Sequence, residues 1–112
     1  MQPTINEFDN HIERLKEQVK LKDVLIRLKE NPDFKQVIEE EYLKNEAIRL
    51  VEVKGSPDMA SEECQKTLDN NIMGVSILRQ YFQRIMIMGD QAERSLEGAY
   101  SERQRLLDGE QE

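Results

Sequence analysis

The chain has 112 residues, of which 35% are charged and 38% are hydrophobic, and its formal net charge is −7. This length suits one small domain, and a content of three Phe, three Tyr and no Trp limits the core that it can build. The negative balance argues against a broad interface with duplex nucleic acid, because phosphate contacts need clustered Lys and Arg. The periodic apolar residues argue against a disordered chain.

The single cysteine and the absence of long apolar stretches indicate the kind of compartment in which the protein works. Cys64 is the only cysteine, which allows no internal disulfide and no cysteine metal cluster, so we expect a reducing environment. The N-terminus has no basic start followed by an apolar run, and no stretch of 18 apolar residues occurs. We therefore expect a non-secreted protein with no membrane contact.

The first predicted helix covers about residues 5–30. Thr4 and Glu7 have the spacing of a capping box at its start. A row with alternating spacings of three and four predicts a seam against another helix, and it consists of Ile5, Phe8, Ile12, Leu15 and Val19. The next slot of this row is Lys22. A second stripe then opens, made of Leu21, Val24, Leu25 and Leu28, so we expect this half of the helix to pack against two neighbours.

The second predicted helix covers about residues 32–53. Asn31 is a good N-cap, and Pro32 is favoured at the first helical position, so the bend after the first helix is short and fixed. The apolar side is read as Phe34, Val37, Ile38, Tyr42, Leu43, Ala47, Leu50 and Val51. Gly55 and Pro57 end the helix, and residues 54–60 form a linker.

The third predicted helix is long, covers about residues 61–107 and is capped by Ser61. Its heptads contain two apolar rows, one of Leu68, Val75, Phe82, Gly89 and Leu96, the other of Leu78, Ile85, Ala92, Ala99 and Leu106. Gly89 followed by Asp90 and Glu93 also fits a helix end and a new capping box. The heptad phase continues through Gly89, which favours one continuous or gently kinked helix. The tail 108–112 is expected to fray.

No residue pattern indicates a reaction. His11, the only histidine, shares a helix face with one carboxylate, Glu7, and reads as a surface residue. Cys64 lies near a helix N-terminus, but no second residue is placed to activate it, and we interpret it as a structural thiol. The triplet 69–71 lacks the loop and closing glutamate of a calcium site. We predict no catalytic residue, no cofactor and no metal.

Two surface patterns leave alternatives open. Met86, Ile87 and Met88, with Ile72 and Met73 earlier, spread apolar surface around the long helix. This surface suits either a core within the fold or an oligomer, or contact with a different protein, because methionines adapt to partner surfaces. The long helix is also rich in arginine, and these side chains either pair with carboxylates across an interface or stay solvated: Arg79, Arg84, Arg94, Arg103 and Arg105.

Three segments carry a resemblance to a known group of proteins. They are the run 28–38 followed by Tyr42, Glu46 and 49–51, the run 78–82, and the run 89–93. Together they resemble small helical proteins that tailed bacteriophages encode among their virion and assembly genes, over roughly residues 20–100. The resemblance implies a non-enzymatic role in or near the particle and a location in the virion or the host cytoplasm. It carries over no site residue.

The sequence therefore predicts an all-α fold of three main helices, with the long C-terminal helix packed back in a hairpin or small bundle with coiled-coil-like seams. The favoured function is a structural or assembly protein that acts through these seams as a homo-oligomer or with another protein. One alternative is a small acidic inhibitor or regulator of a host protein, and the negative charge disfavours a nucleic-acid packaging adaptor. The predicted interface residues are Ile5, Phe8, Ile12, Leu15, Val19, Leu68, Val75, Leu78, Phe82, Ile85 and Leu96.

Overall fold

The computed structural model describes residues 4–111, and the side chains of residues 4–109. This part of the chain is helical and has no strand, which confirms the all-α class. The elements are α1 (Ile5–Glu30), α2 (Pro32–Phe34), a π-helical segment (Lys35–Glu46), α3 (Ala47–Lys54), a 3₁₀ turn (Pro57–Met59) and α4 (Glu62–Gln111).

Side-chain caps fix three of the helix starts. The backbone N–H of Thr4 donates to Glu7 Oε2, and the N–H of Glu7 donates to Thr4 Oγ1, both at 3.1 Å, so the capping box is formed. Asn31 Oδ1 accepts from the N–H groups of Asp33 and Phe34 at 2.9 and 3.2 Å. Ser61 Oγ accepts from the N–H of Cys64 at 3.2 Å. Local sequence therefore sets these starts, as predicted.

Helix α4 is one continuous helix of 50 residues that passes through Gly89 without a break. Helix α4 extends to Gln111, beyond the predicted end at residue 107, and Glu112 lies outside the described residues. That residues 108–112 fray stays a prediction. Side-chain bonds support this last part of the helix. Gln104 Nε2 donates to Asp108 Oδ1 at 3.0 Å, one turn away.

The second helix departs from the α-helical prediction over Lys35–Glu46, which is π-helical. A π-helix has more residues per turn than an α-helix, because its hydrogen bonds span five residues rather than four. Positions spaced by four then stay on one face. Ile38 and Tyr42 are half-buried and Leu50 is buried, whereas Val37 and Val51, which an α-helical phase assigns to the apolar side, are exposed.

The chain divides into two compact units, residues 1–26 with 84–112 and residues 27–83. In the first unit, α4 packs against α1 around a buried cluster of Ile12, Leu15, Ala92 and Ala99. In the second unit, the π-helical segment and α3 pack against α4 around a buried cluster of Leu43, Leu50, Leu68 and Val75. Each unit thus has a core of its own, built on a different part of α4.

Candidate interaction surface

The chain itself covers the apolar seam of the first unit. Ile12 and Leu15 are buried, and Val19 and Leu96 pack against the same cluster. Ile85 is also buried. Ile5 and Phe8, at the start of the row, are half-buried. Since α1 and α4 close this seam, no second copy is needed to cover it.

Lys22 occupies a seam position and is 6% exposed, so its charge lies against the packed helices. Its Nζ donates to Asp90 Oδ1 at 3.0 Å and to Glu93 Oε1, and both carboxylates are about half exposed. The hydrogen bonds that Lys22 donates to Glu93 and Asp90 raise the pKa of Lys22. The interpretation of Asp90 and Glu93 as a capping box after Gly89 is therefore wrong, because these carboxylates neutralise a buried cation.

Gly89 lies where α4 approaches Lys22 most closely. A Cβ atom at this position would come 2.9 Å from Lys22 Cγ and 2.8 Å from Lys22 Cδ, and it would meet Lys22 Cβ as well. Real Cβ atoms do not tolerate such distances. Glycine is present here because it makes room for the lysine stem, at a cost in helix propensity of about 1 kcal/mol relative to Ala.

Residues of the same chain also cover the seam of the second unit. Leu68 and Val75 are buried, and the half-buried Leu78 and Phe82 pack against their cluster. The ring of Phe82 meets that of Phe34 edge-on, with centroids 5.8 Å apart. Edge-to-face aromatic pairs stabilise the fold by more than the burial of their apolar area alone. All four predicted seam residues of this unit thus contact an apolar interior.

Polar side chains join the helices of the second unit. Arg79 Nη2 donates to the carbonyl of Leu43 at 2.6 Å. Lys54 Nζ donates to Gln65 Oε1 at 2.7 Å and to Asp69 Oδ1 at 2.5 Å. Asp69 therefore forms an ion pair that joins α4 to α3.

Some arginines of α4 bond to other helices and others bond within α4. Arg103 Nε donates to Asp9 Oδ1 on α1 at 2.6 Å, and Arg79 reaches Leu43, so these two join separate helices. Arg105 pairs with Glu102 within α4 at 2.9 Å. Arg94 Nε donates to the carbonyl of Asp90 in its own helix.

The two candidates for chemistry belong to different units, His11 to the first and Cys64 to the second. His11 is exposed on α1, and Cys64 is a half-buried free thiol near the start of α4. Among residues 4–111, no group of three or more His, Cys, Asp or Glu side chains is arranged to hold a metal ion. None of the helices in this range combines the length and apolarity that crossing a bilayer requires.

A second apolar row lies on the outer surface of α4. Met73, Ile77 and Tyr81 follow one another at intervals of four residues, and they are 59%, 58% and 45% exposed. Further along the helix, Ile87 and Met88 are exposed as well, whereas Ile72 and Met86 are half-buried. The apolar surface predicted from sequence included Met73 and residues 86–88, and it did not include Ile77 or Tyr81.

On α1, the stripe that was expected to pack against two neighbours does not do so. Leu21, Val24 and Leu28 are exposed, and only Leu25 is buried. The expectation fails because the row does not shift to the second stripe after Val19. It continues through its next slot, Lys22, to Leu25, and these two residues face the interior.

No protein-family model, curated protein or solved structure matches this chain.

Proposed function

We propose that this protein is a non-enzymatic structural or assembly component that acts through helical protein–protein interfaces. The observation that supports the proposal is the outer row of α4, Met73, Ile77 and Tyr81, which stays exposed although the chain covers its own seams. Apolar side chains at helical spacing on a rigid helix present the surface that a partner helix recognises.

The composition of the row fits this use. Met73 is flexible and polarizable, so it adapts to different partner surfaces, and Tyr81 offers a large apolar ring with a polar end. A stable helix pre-organises these side chains, which lowers the entropy cost of binding. The resemblance of residues 20–100 to phage assembly proteins favours a component of a virion or of its assembly in the host cytoplasm.

Light scattering of the purified protein over a range of concentrations tests this proposal. A mass above the chain mass of 13.2 kDa that rises to a defined oligomer supports an assembly role. A mass that stays at 13.2 kDa up to millimolar concentration contradicts self-assembly.

A second candidate is an acidic inhibitor or regulator of a host protein. Residues 56–112 contain 11 acidic and 6 basic side chains, which favours a basic partner surface. This candidate predicts a monomer whose binding to a basic host protein weakens steeply with salt, since exposed charges are screened. Binding that is insensitive to salt would contradict it.

A further inference from the structure

We infer that the outer row of α4 binds the same row of a second copy of this chain, in an antiparallel pair with Ile77 next to the two-fold axis. This inference rests on the proposed function and names its partner and its surface. Most soluble homo-oligomers are closed by such two-fold interfaces, in which one patch meets itself.

The spacing of the row makes it self-complementary. Met73 lies four residues before Ile77, and Tyr81 lies four residues after it. Antiparallel pairing about Ile77 therefore sets Met73 of each copy against Tyr81 of the other. A methionine sulfur against an aromatic ring is a favourable contact, and it forms twice in the pair. A parallel pair sets Met against Met and Tyr against Tyr and makes neither contact.

Charge selects this surface among the exposed apolar ones. Two copies that each carry a charge of −7 repel each other wherever carboxylates meet. Between Asp69 and Asp90, α4 contains no acidic residue, and the polar neighbours of the row include Asn70, Ser76 and Gln80. This is where a second acidic chain can approach α4 at the lowest electrostatic cost.

The exposed apolar residues of α1 and α3 lack this property. Leu21, Val24 and Leu28 of α1 alternate with charged side chains of both signs, at positions 20, 23, 27 and 29. Ile48 and Val51 of α3 have Arg49 and Glu52 next to them. Desolvating such charges opposes association, so these surfaces suit a homotypic contact less well.

The size of the row sets the expected affinity. From Met73 to Tyr81 the helix rises about 12 Å, so the apolar centre of the contact is short. Small interfaces are typical of weak or transient association. We expect a dissociation constant of roughly micromolar order for the isolated chain.

Disulfide trapping in a Cys64→Ser background tests both the partner and the direction. Under mild air oxidation, the Ile77→Cys variant should form covalent dimers, because its thiol lies beside the axis. A mixture of Met73→Cys and Tyr81→Cys chains should cross-link faster than either variant alone. The matched control is Ile48→Cys, at an isoleucine of α3 that is 51% exposed, compared with 58% for Ile77.

Two outcomes would overturn the pairing. If Ile48→Cys cross-links as fast as Ile77→Cys, then the disulfides report random collision. If Met73→Cys alone cross-links faster than the mixture, then the helices are not antiparallel.

A charge substitution separates this inference from the proposed function. Ile77→Glu sets two like charges at the axis and should weaken self-association at least tenfold in sedimentation equilibrium, whereas Ile48→Glu should leave it unchanged. Both positions are exposed, so circular dichroism should show the helicity of the unmodified protein. If the unmodified protein forms oligomers that Ile77→Glu leaves intact, the surface is wrong and the assembly role stands. If the unmodified protein stays monomeric, the pairing fails, and an assembly role then requires a different protein as the partner.

Discussion

At the scale of single residues, Lys22 and Gly89 form a matched pair across two helices. The lysine stem fills the space that the glycine leaves, and Asp90 and Glu93 neutralise its ammonium group. The heptad pattern placed Gly89 in a seam, but the purpose of the glycine could not be predicted. Capping patterns depend on a few adjacent residues. In contrast, Lys22 pairs with two carboxylates that follow it in the sequence at separations of 68 and 71 positions.

Two glycines of α4 provide a test of this packing. Gly89→Ala should lower the free energy of unfolding by about 1–3 kcal/mol, because the overpacking exceeds the gain in helix propensity. Gly98→Ala should raise it by up to about 1 kcal/mol, since no atom lies within 4 Å of the added Cβ. Urea unfolding measures both variants. Equal stabilisation by the two substitutions would show that α1 does not approach Gly89.

At the scale of elements, α4 was the most predictable part of the chain and the second helix the least. All ten positions of the two heptad rows of α4 are buried or half-buried. The second helix has apolar positions spaced by four, which lies between the α-helical and π-helical periods and fits both when read from sequence. Whether these residues form an α-helix or a π-helix depends on their packing against α4. Arg79 of α4 also donates to the carbonyl of Leu43 in this segment.

Two adjacent residues of α3 test which side of the helix faces the core after the π-helical segment. Leu50 is 2% exposed and Val51 is 62% exposed, although sequence analysis assigned both to the apolar side. Leu50→Ala should cost about 2–5 kcal/mol of unfolding free energy, because it leaves a cavity in the core. Val51→Ala should change it by less than about 0.5 kcal/mol. Thermal or urea unfolding that ranks Val51→Ala as the more harmful change would refute the phase.

At the scale of the whole molecule, the helical class and the seam residues could be predicted, but what covers the seams could not. The thin core predicted from composition indicated a seam completed by another copy or protein. The structure instead has two small cores, each closed by the chain itself, and leaves a different row exposed. Periodicity shows which residues of a helix are apolar, not which helix will cover them.

The stability of the protein should depend on Lys22 at alkaline pH. The pKa of Lys22 is raised in the folded state above its unfolded value of about 10.4. The ion pair therefore contributes its full stability below about pH 10.4. This contribution is lost as the pH rises through the pKa of the folded state. The unfolding free energy of the unmodified protein, relative to Lys22→Met, should therefore be constant near neutrality and fall above about pH 10. Lys20→Met serves as the control for an exposed lysine on the same helix. A difference between the unmodified protein and Lys22→Met that is flat to about pH 12 would contradict the ion-pair assignment.

The most direct test compares the labelling of two thiols by a maleimide reagent in a Cys64→Ser background, at low and high protein concentration. The thiol of Val75→Cys, inside the seam, should be protected at both concentrations. The thiol of Ile77→Cys, on the outer row, should react rapidly in dilute protein and slowly in concentrated protein, where a second copy covers it. If Val75→Cys reacts as fast as Ile77→Cys in dilute protein, the chain does not cover its own seam and the account is wrong.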